Sequence, residues 1–161
     1  MTPHESSLHL RAARIDERDV LWALRTRCVR ETCRSHYPDS VIAPWSAAPP
    51  PQDFLRLLAE GACLLAEDRP NGAVAGYGAI DVQQTLIQAL FVAPEYAGRG
   101  LGLQLLRAME QRVPAGTELR LSASLNAEAF YRRAGYEAIR REIYPHPAGM
   151  ALDSVLMRRR V

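Results

Sequence analysis

The chain of 161 residues contains no lysine; all 20 of its basic residues are arginines, balanced by 18 acidic residues to a net charge of +2. A nucleotide-binding P-loop ends in Gly-Lys-Ser/Thr, so the absence of lysine argues against that class. The short basic run Arg158–Arg160 lies at the end of the chain and carries no interleaved aromatic residues. Nucleic-acid binding is therefore not expected.

Long hydrophobic runs are also missing. No stretch approaches the roughly 20 apolar residues of a membrane span, and the N-terminus lacks the apolar segment of a secretory signal. These features predict a cytoplasmic protein without a membrane partner. Only three cysteines are present, Cys28, Cys33 and Cys63. Their spacing lacks the paired ligands of a zinc site, so we expect buried thiols and no bound metal.

The length favours one domain over residues 1–161. Hydrophobic periodicity predicts the order β α α β β β α β α β β, a single α/β domain with a mixed sheet. The unit over 85–124 predicts a parallel strand–helix–strand crossover. The predicted strands cover 8–14, 62–68, 73–81, 85–93, 118–124, 136–144 and 150–159. The predicted helices are one that follows Asp16 and those over 53–61, 100–113 and 127–134.

The N-terminal helix has one apolar stripe, formed by Val20, Leu24 and Cys28, with Asp16 as its expected N-cap. Most of the arginines of this helix are expected on its other faces. The segment 35–54 that follows contains prolines that forbid one continuous helix. It is either a linker or a structured loop, and its aromatic residues favour the loop.

Three glycines at alternate positions, Gly98, Gly100 and Gly102, lie between the buried strand 85–93 and the helix 100–113. The first N–H groups of a helix have no intrahelical partner, and the helix dipole adds partial positive charge there. Glycines allow a phosphate to approach these N–H groups closely. The pattern therefore predicts an anion site.

The glycine spacing does not fit a dinucleotide fingerprint. That fingerprint needs G-x-G-x-x-G, but its third glycine would fall on Leu103 or on Leu105. Arg99, within the same stretch, adds a cation at the rim of the predicted anion site.

The stretch does resemble the [RQ]-x-x-G-x-[GA] signature of the Gcn5-related N-acetyltransferases, which here corresponds to Ala97-Gly98-Arg99-Gly100-Leu101-Gly102. A second motif of that family resembles "SLNAEAFYRRAGYEAI", with Asn126 after a strand and Phe130-Tyr131 on the following helix. The resemblance is strong over 86–139 and looser in "HYPDSVIAPW", which is similar to a segment of a bacterial subgroup. One departure is Ala97, where the family usually has Arg or Gln.

The resemblance implies a GNAT-like, mostly antiparallel sheet with a central parallel β-α-β crossover and flanking helices. It also implies transfer of an acetyl group from acetyl-CoA to a primary amine by direct attack in a ternary complex. The pyrophosphate of acetyl-CoA would lie on backbone N–H groups of the glycine turn. The pantetheine arm would lie beside the fourth strand, where it splays from the fifth. The implied cofactor-binding residues are Leu90, Phe91, Val92, Ala97, Gly98, Arg99, Gly100, Leu101, Gly102, Leu103, Asn126 and Phe130.

By the same resemblance, Tyr131 is the catalytic acid that protonates the leaving thiolate. Asn126 either caps its helix or also contacts the pantetheine arm. His36, Tyr37 and Trp45 are candidates for the acceptor side, with a surface role for the histidine and core roles for the two aromatic residues as alternatives.

The acceptor is an amine of a small molecule or a protein, and a homodimer is one expected assembly. A non-catalytic acyl-CoA-binding or sensor module is the alternative function. It is motivated by Ala97 and by the absence of a carboxylate on the fourth strand, where Leu86 takes the place of a glutamate found in some relatives.

Overall fold

The computed structural model describes residues 7–146 and 149–161, without the side chain of Tyr144. The strands are β1 (Leu8–Ala12), β2 (Cys63–Asp68), β3 (Ala73–Asp81), β4 (Leu86–Val92), β5 (Glu118–Ser124), β6 (Glu137–Pro145) and β7 (Ala151–Arg160). The α-helices are α1 (Arg18–Glu31), α2 (Asp39–Ala47), α3 (Gln52–Ala59), α4 (Leu101–Glu110) and α5 (Glu128–Arg133). Short 3-10 turns lie at Ile15–Glu17, Cys33–Ser35 and Pro94–Tyr96.

The strands form one sheet in the order β1-β2-β3-β4-β5-β7-β6. Every neighbouring pair is antiparallel except β4 and β5, which are parallel and are joined by α4. The predicted fold class, a mixed and mostly antiparallel sheet with a central parallel crossover, is confirmed. The two parallel strands share only one residue pair, Leu86 opposite Arg120. Beyond this pair the strands separate.

Helices cover both faces of the sheet, as the alternation of side chains along β2 shows. Leu64 and Ala66 pack in the cluster that contains the buried residues of α4. Cys63 and Leu65, which point to the opposite face, pack in the cluster formed with α1 and α3. All three cysteines are buried and unpaired, as expected. Burial raises the pKa of the Cys28 thiol to about 12.

The segment 35–54 contains a helix that the sequence did not predict. Its prolines do exclude one continuous helix, since Ala48 is extended between α2 and α3. The structured-loop prediction was nevertheless wrong for α2, which holds Pro44 in its interior. Two side chains of α1 support the C-terminal end of α2: the indole N–H of Trp22 donates to the carbonyl of Ala48 at 3.0 Å, and Arg25 donates to that of Trp45 at 2.8 Å. Such tertiary support stabilises a helix that local propensity disfavours.

The start of α1 also differs from the prediction. Asp16 lies in a 3-10 turn and pairs with Arg14 at 3.2 Å, so it does not cap α1. Val20 is 47% exposed and does not belong to the buried stripe. The buried residues of α1 are Leu21, Leu24, Arg25, Cys28 and Val29. Among the described residues, no helix has the length and apolar character needed to cross a membrane.

Candidate active site

The glycine turn leads directly into α4. Gly98 and Gly100 both have φ of +78°, the left-handed region that residues with a side chain rarely adopt. Gly100 is the N-cap of α4. No atom lies within 4 Å of the position that a Cβ would take at either glycine, so the outer surface of the turn is bare. A ligand can therefore approach the backbone there.

The N–H groups of this turn are available to a ligand. Gln104 is the first residue of the segment whose N–H bonds within the chain, donating to the carbonyl of Gly100 at 3.0 Å. Within residues 7–146 and 149–161, the N–H groups from Gly98 to Leu103 have no acceptor. Six N–H donors without a partner at a helix start present partial positive charge to an approaching anion. The Arg99 guanidinium lies 5.5 Å from the centre of the Tyr96 ring, beside this turn.

The other residues of the turn contribute in different ways. Ala97 is exposed, and its N–H donates to the carbonyl of Pro94 at 3.2 Å. Leu101 is buried in the core, which leaves only its backbone for a ligand, whereas Leu103 is 40% exposed.

The edge of β4 that faces β5 is largely unpaired. Leu90, Phe91 and Val92 pair with β3 on their other edge. Toward β5, the carbonyl of Val92 accepts a hydrogen bond from the thiol of Cys28 at 3.3 Å. A bulge at Gln88, which has no partner in β3, interrupts the ladder before these residues. The resemblance implied the separation of the two strands, whereas no local sequence signal revealed the bulge.

Helix α5 docks on the start of α4 through Phe130. Two carbons of the Phe130 ring lie 3.3 Å from the point that a Cβ of Gly102 would occupy. The ring of Tyr131 makes edge contacts with Phe130 and Tyr136, with centroids at 5.1 and 5.8 Å. These contacts fix the position of Tyr131 relative to the glycine turn.

Tyr131 is buried, with 7% of its surface exposed. Its hydroxyl has no hydrogen-bond partner in the described part of the chain, yet it is not among the fully enclosed polar atoms that lack one. The hydroxyl therefore keeps a small solvent-accessible area. Burial raises the pKa of Tyr131 above its ordinary value. The group thus holds its proton at neutral pH, as a proton donor must.

Asn126 lies between the end of β5 and the turn Cys33–Ser35. The N-cap of α5 is Ala127, and no side chain caps that helix, so the predicted cap was wrong. The side chain of Asn126 lies beside the thiol of Cys33, where it opposes the rise in the pKa of this thiol that burial causes. Its Oδ1 atom is buried without a partner. A buried oxygen without a donor is costly unless a ligand or water supplies one.

The three residues considered for the acceptor side occupy different environments. Tyr37 is buried, donates to the carbonyl of Asp153 and accepts from the N–H of Leu125 at 3.0 Å. These bonds favour its role as a core anchor. Trp45 is partly buried and meets Tyr37 edge to face at 5.2 Å. His36 is exposed, with Nδ1 2.6 Å from the hydroxyl of Ser35. Contact of these residues with an acceptor stays a prediction.

Sequence reasoning missed Arg25, because arginines of an amphipathic helix are normally solvent-exposed. Its side chain is on the buried face of α1, and the residue is 4% exposed. Over the described ranges, no cluster of three or more His, Cys, Asp or Glu is arranged to hold a metal ion.

A sheet that opens between its two parallel strands, beside N–H groups without an acceptor at the start of α4, is the framework of an acyltransferase. The family model described as "Acetyltransferase (GNAT) domain" matches residues 34–146. The chain belongs to this GNAT acetyltransferase family.

Relatives and solved structures agree with this assignment. The chain is 27% identical over 124 residues to YafP, an uncharacterized N-acetyltransferase of Escherichia coli K12, with 76% of each chain covered. It is similar to a GCN5-related N-acetyltransferase from Rhodopseudomonas palustris, at 24% identity over 97% of each chain and a TM-score of 0.84. It is also similar to the PaiA N-acetyltransferase of Thermoplasma acidophilum, solved with coenzyme A, at 15% identity over 96% of this chain and 99% of that one, with a TM-score of 0.68.

Proposed function

We propose that this protein transfers an acetyl group from acetyl-CoA to a primary amine of a small molecule or a protein, by direct attack in a ternary complex. The observation that carries the proposal is the run of six unpaired N–H groups from Gly98 to Leu103, beside the open edge of β4. The turn fits a diphosphate because nothing fills the space outside Gly98 and Gly100. Arg99 supplies a mobile positive charge next to it.

The open edge of β4 would hold the pantetheine arm, whose two amides need backbone partners. Leu90 and the N–H of Val92 supply them on the side that β5 leaves free, in the manner of an added strand, since the backbone groups of Phe91 point toward β3. A backbone N–H of this edge also stabilises the negative charge that develops on the thioester oxygen. Phe130 packs on Gly102 at the same end of the cleft, and the unpaired Oδ1 of Asn126 accepts an N–H of the arm.

Acetyl-CoA supplies an activated acyl group. The neutral amine nitrogen forms the new bond to the acyl carbon and gives up one proton to water, and the carbon–sulfur bond breaks. The hydroxyl of Tyr131 donates its proton to the departing sulfur. Its buried position, which raises the pKa of Tyr131, keeps that proton in place until the sulfur becomes basic.

A second candidate is a non-catalytic acyl-CoA-binding or sensor module. It is favoured by Ala97 at the position where the family usually has Arg or Gln, and by the absence of a carboxylate on β4. The proton of the amine would then have no acceptor on that strand. This module would bind acyl-CoA without releasing CoA.

Two measurements test these alternatives. Titration calorimetry with acetyl-CoA is expected to give saturable binding, and its absence would reject both functions. Release of free CoA is then followed with a thiol reagent over a panel of small amines and peptides. Amine-dependent release supports the transferase, whereas binding without release for every amine supports the sensor module. The protein's own thiols are buried, which keeps the background low.

A further inference from the structure

The guanidinium of Arg25 is buried without a carboxylate. In the ranges 7–146 and 149–161, no Asp or Glu side chain lies within ion-pair distance of it. Its two hydrogen bonds go to carbonyls at the end of α2: Nη2 donates to the carbonyl of Trp45 at 2.8 Å and Nη1 to that of Ser46 at 3.4 Å. The guanidinium carbon also lies 4.3 Å from the centre of the Trp22 ring. Carbonyl dipoles and a ring face do not neutralise a full charge.

Such an arrangement is uncommon in protein interiors. Buried charges are normally paired, because removal from water is costly and only an opposite charge offsets it. A guanidinium has five N–H donors. Two are used here, and the other three have no acceptor among the residues that the structure describes. Burial accordingly lowers the pKa of Arg25, although a guanidinium remains charged at neutral pH.

The position of Arg25 relates this charge to the cleft. Cys28, one turn further along the same face of α1, donates its thiol to the carbonyl of Val92 at the end of β4. The charge of Arg25 acts on Cys33, which lies beside Asn126 at the end of β5. Burial, and after it the charge of Arg25, lowers the pKa of His146, which follows β6. Arg25 therefore lies on the face of α1 that meets the end of β4, where β4 and β5 separate.

We propose that Arg25 binds a carboxylate on the acceptor, so that the substrate is an amine that also carries a carboxylate, as an amino acid does. This inference rests on the proposed function and names its substrate class. A simple amine arrives as an ammonium ion, which the unpaired guanidinium repels. An amino acid brings the missing negative charge, and the planar fork of Arg matches the two oxygens of a carboxylate.

The test uses matched acceptors that differ only in charge. The L-amino acids and their primary carboxamides are assayed in pairs by CoA release from acetyl-CoA with the full chain. For the best pair, kcat/KM of the acid is expected to exceed that of the carboxamide at least tenfold. Equal or better use of the carboxamides, or of simple amines that lack an anion, would overturn the proposal.

Variants of Arg25 test whether this residue causes the preference for the acid over the carboxamide. Arg25→Met keeps the apolar stem, removes the charge and should reduce the acid-to-carboxamide ratio at least tenfold. Arg25→Lys keeps the charge without the fork and should give an intermediate ratio. Arg30→Met, an exposed arginine of the same helix, is the control and should retain the wild-type ratio. An unchanged ratio in folded Arg25→Met would overturn the proposal.

Failure of this inference is distinguishable from failure of the proposed function. If Arg25 does not bind a carboxylate of the acceptor, acetyl-CoA binding and amine-dependent CoA release persist, with no preference for carboxylates. If the protein is not an acetyltransferase, no acceptor, charged or not, causes release of CoA. The wild-type comparison also stands if Arg25→Met unfolds, because it needs no variant.

Discussion

Gly102 and Phe130 are in direct contact across the junction of α4 and α5: a Cβ on Gly102 would stand 3.3 Å from two ring carbons. Gly102 has a helical backbone, so a glycine is favoured there because a side chain would meet the Phe130 ring, and not because of an unusual φ. Through this contact α5, which carries Tyr131, packs on α4, whose first N–H groups have no acceptor in the described part of the chain.

Gly102→Ala is expected to destabilise the protein by about 1 kcal/mol. The helix gains up to about 1 kcal/mol from alanine, but the added methyl overpacks the Phe130 ring, which costs about 1–3 kcal/mol. Urea denaturation measures the difference. The double variant with Phe130→Leu should lose less stability than the two single variants together. Strictly additive losses would show that the methyl does not meet this ring.

Tyr131→Phe is expected to lower kcat at least tenfold while the affinity for acetyl-CoA changes less than twofold. The hydroxyl makes no hydrogen bond within the described residues, so the free energy of unfolding should stay within about 0.5 kcal/mol of wild type. Steady-state kinetics and calorimetry separate the two effects. An unchanged kcat would remove Tyr131 from the reaction.

Ala97→Gln is expected to tighten acetyl-CoA binding about fivefold, equivalent to one added hydrogen bond of about 1 kcal/mol. The position is exposed and extended, with φ of −66° and ψ of 150°, and therefore accepts a longer side chain without strain. Calorimetry gives the dissociation constant. Ala97→Leu is the matched control, since it adds bulk without a polar group and should not tighten binding.

Glu17→Gln is expected to lower the free energy of unfolding by about 2 kcal/mol at pH 7. Glu17 accepts two hydrogen bonds from Arg11, at 2.7 and 2.8 Å, and the N–H of Arg14. The pKa of Glu17 is lowered to about 2, and the hydrogen bonds from Arg11 are the largest cause. A lowered pKa contributes stability that is present above pH 4.5 and is lost as the pH falls toward 2.

Wild type and Glu17→Gln should therefore converge in stability between pH 4.5 and pH 2. Urea midpoints at pH 7, 4 and 3 follow this convergence. Asp16→Asn, at a neighbouring carboxyl that is 75% exposed, is the control and should not change the midpoint at pH 7 by more than a few tenths of a kcal/mol. A constant gap between wild type and Glu17→Gln across this range would contradict the assigned role.

The central unit from β4 to α4 could be predicted from sequence alone. A nearly all-apolar strand, three alternating glycines and an amphipathic helix follow one another, and each signal is local. The predicted helix 100–113 and the observed Leu101–Glu110 differ only at their ends. The final hairpin was equally accessible, because the predicted strands 136–144 and 150–159 agree with β6 and β7 to within one residue at each end.

The rest depended on contacts between distant segments. Helix α2 owes its C-terminal end to Trp22 and Arg25 of another helix, which no local pattern reveals. The burial of Arg25 contradicts the usual preference of arginine for solvent. Tyr37 joins β5 and β7 through one hydroxyl, a role that neither its type nor its neighbours in sequence indicate.

Leu86 and Arg120 form the single residue pair between β4 and β5, and this has a mechanical consequence. The backbone ladders of β1-β2-β3-β4 and β5-β7-β6 thus meet at one end only, while buried side chains of both parts share one core. A linear molecule bound between the separated ends of β4 and β5 would connect the two parts of the sheet a second time and would restrict their twisting against each other. Amide protons near Arg120 should then exchange with solvent more slowly when this molecule is bound.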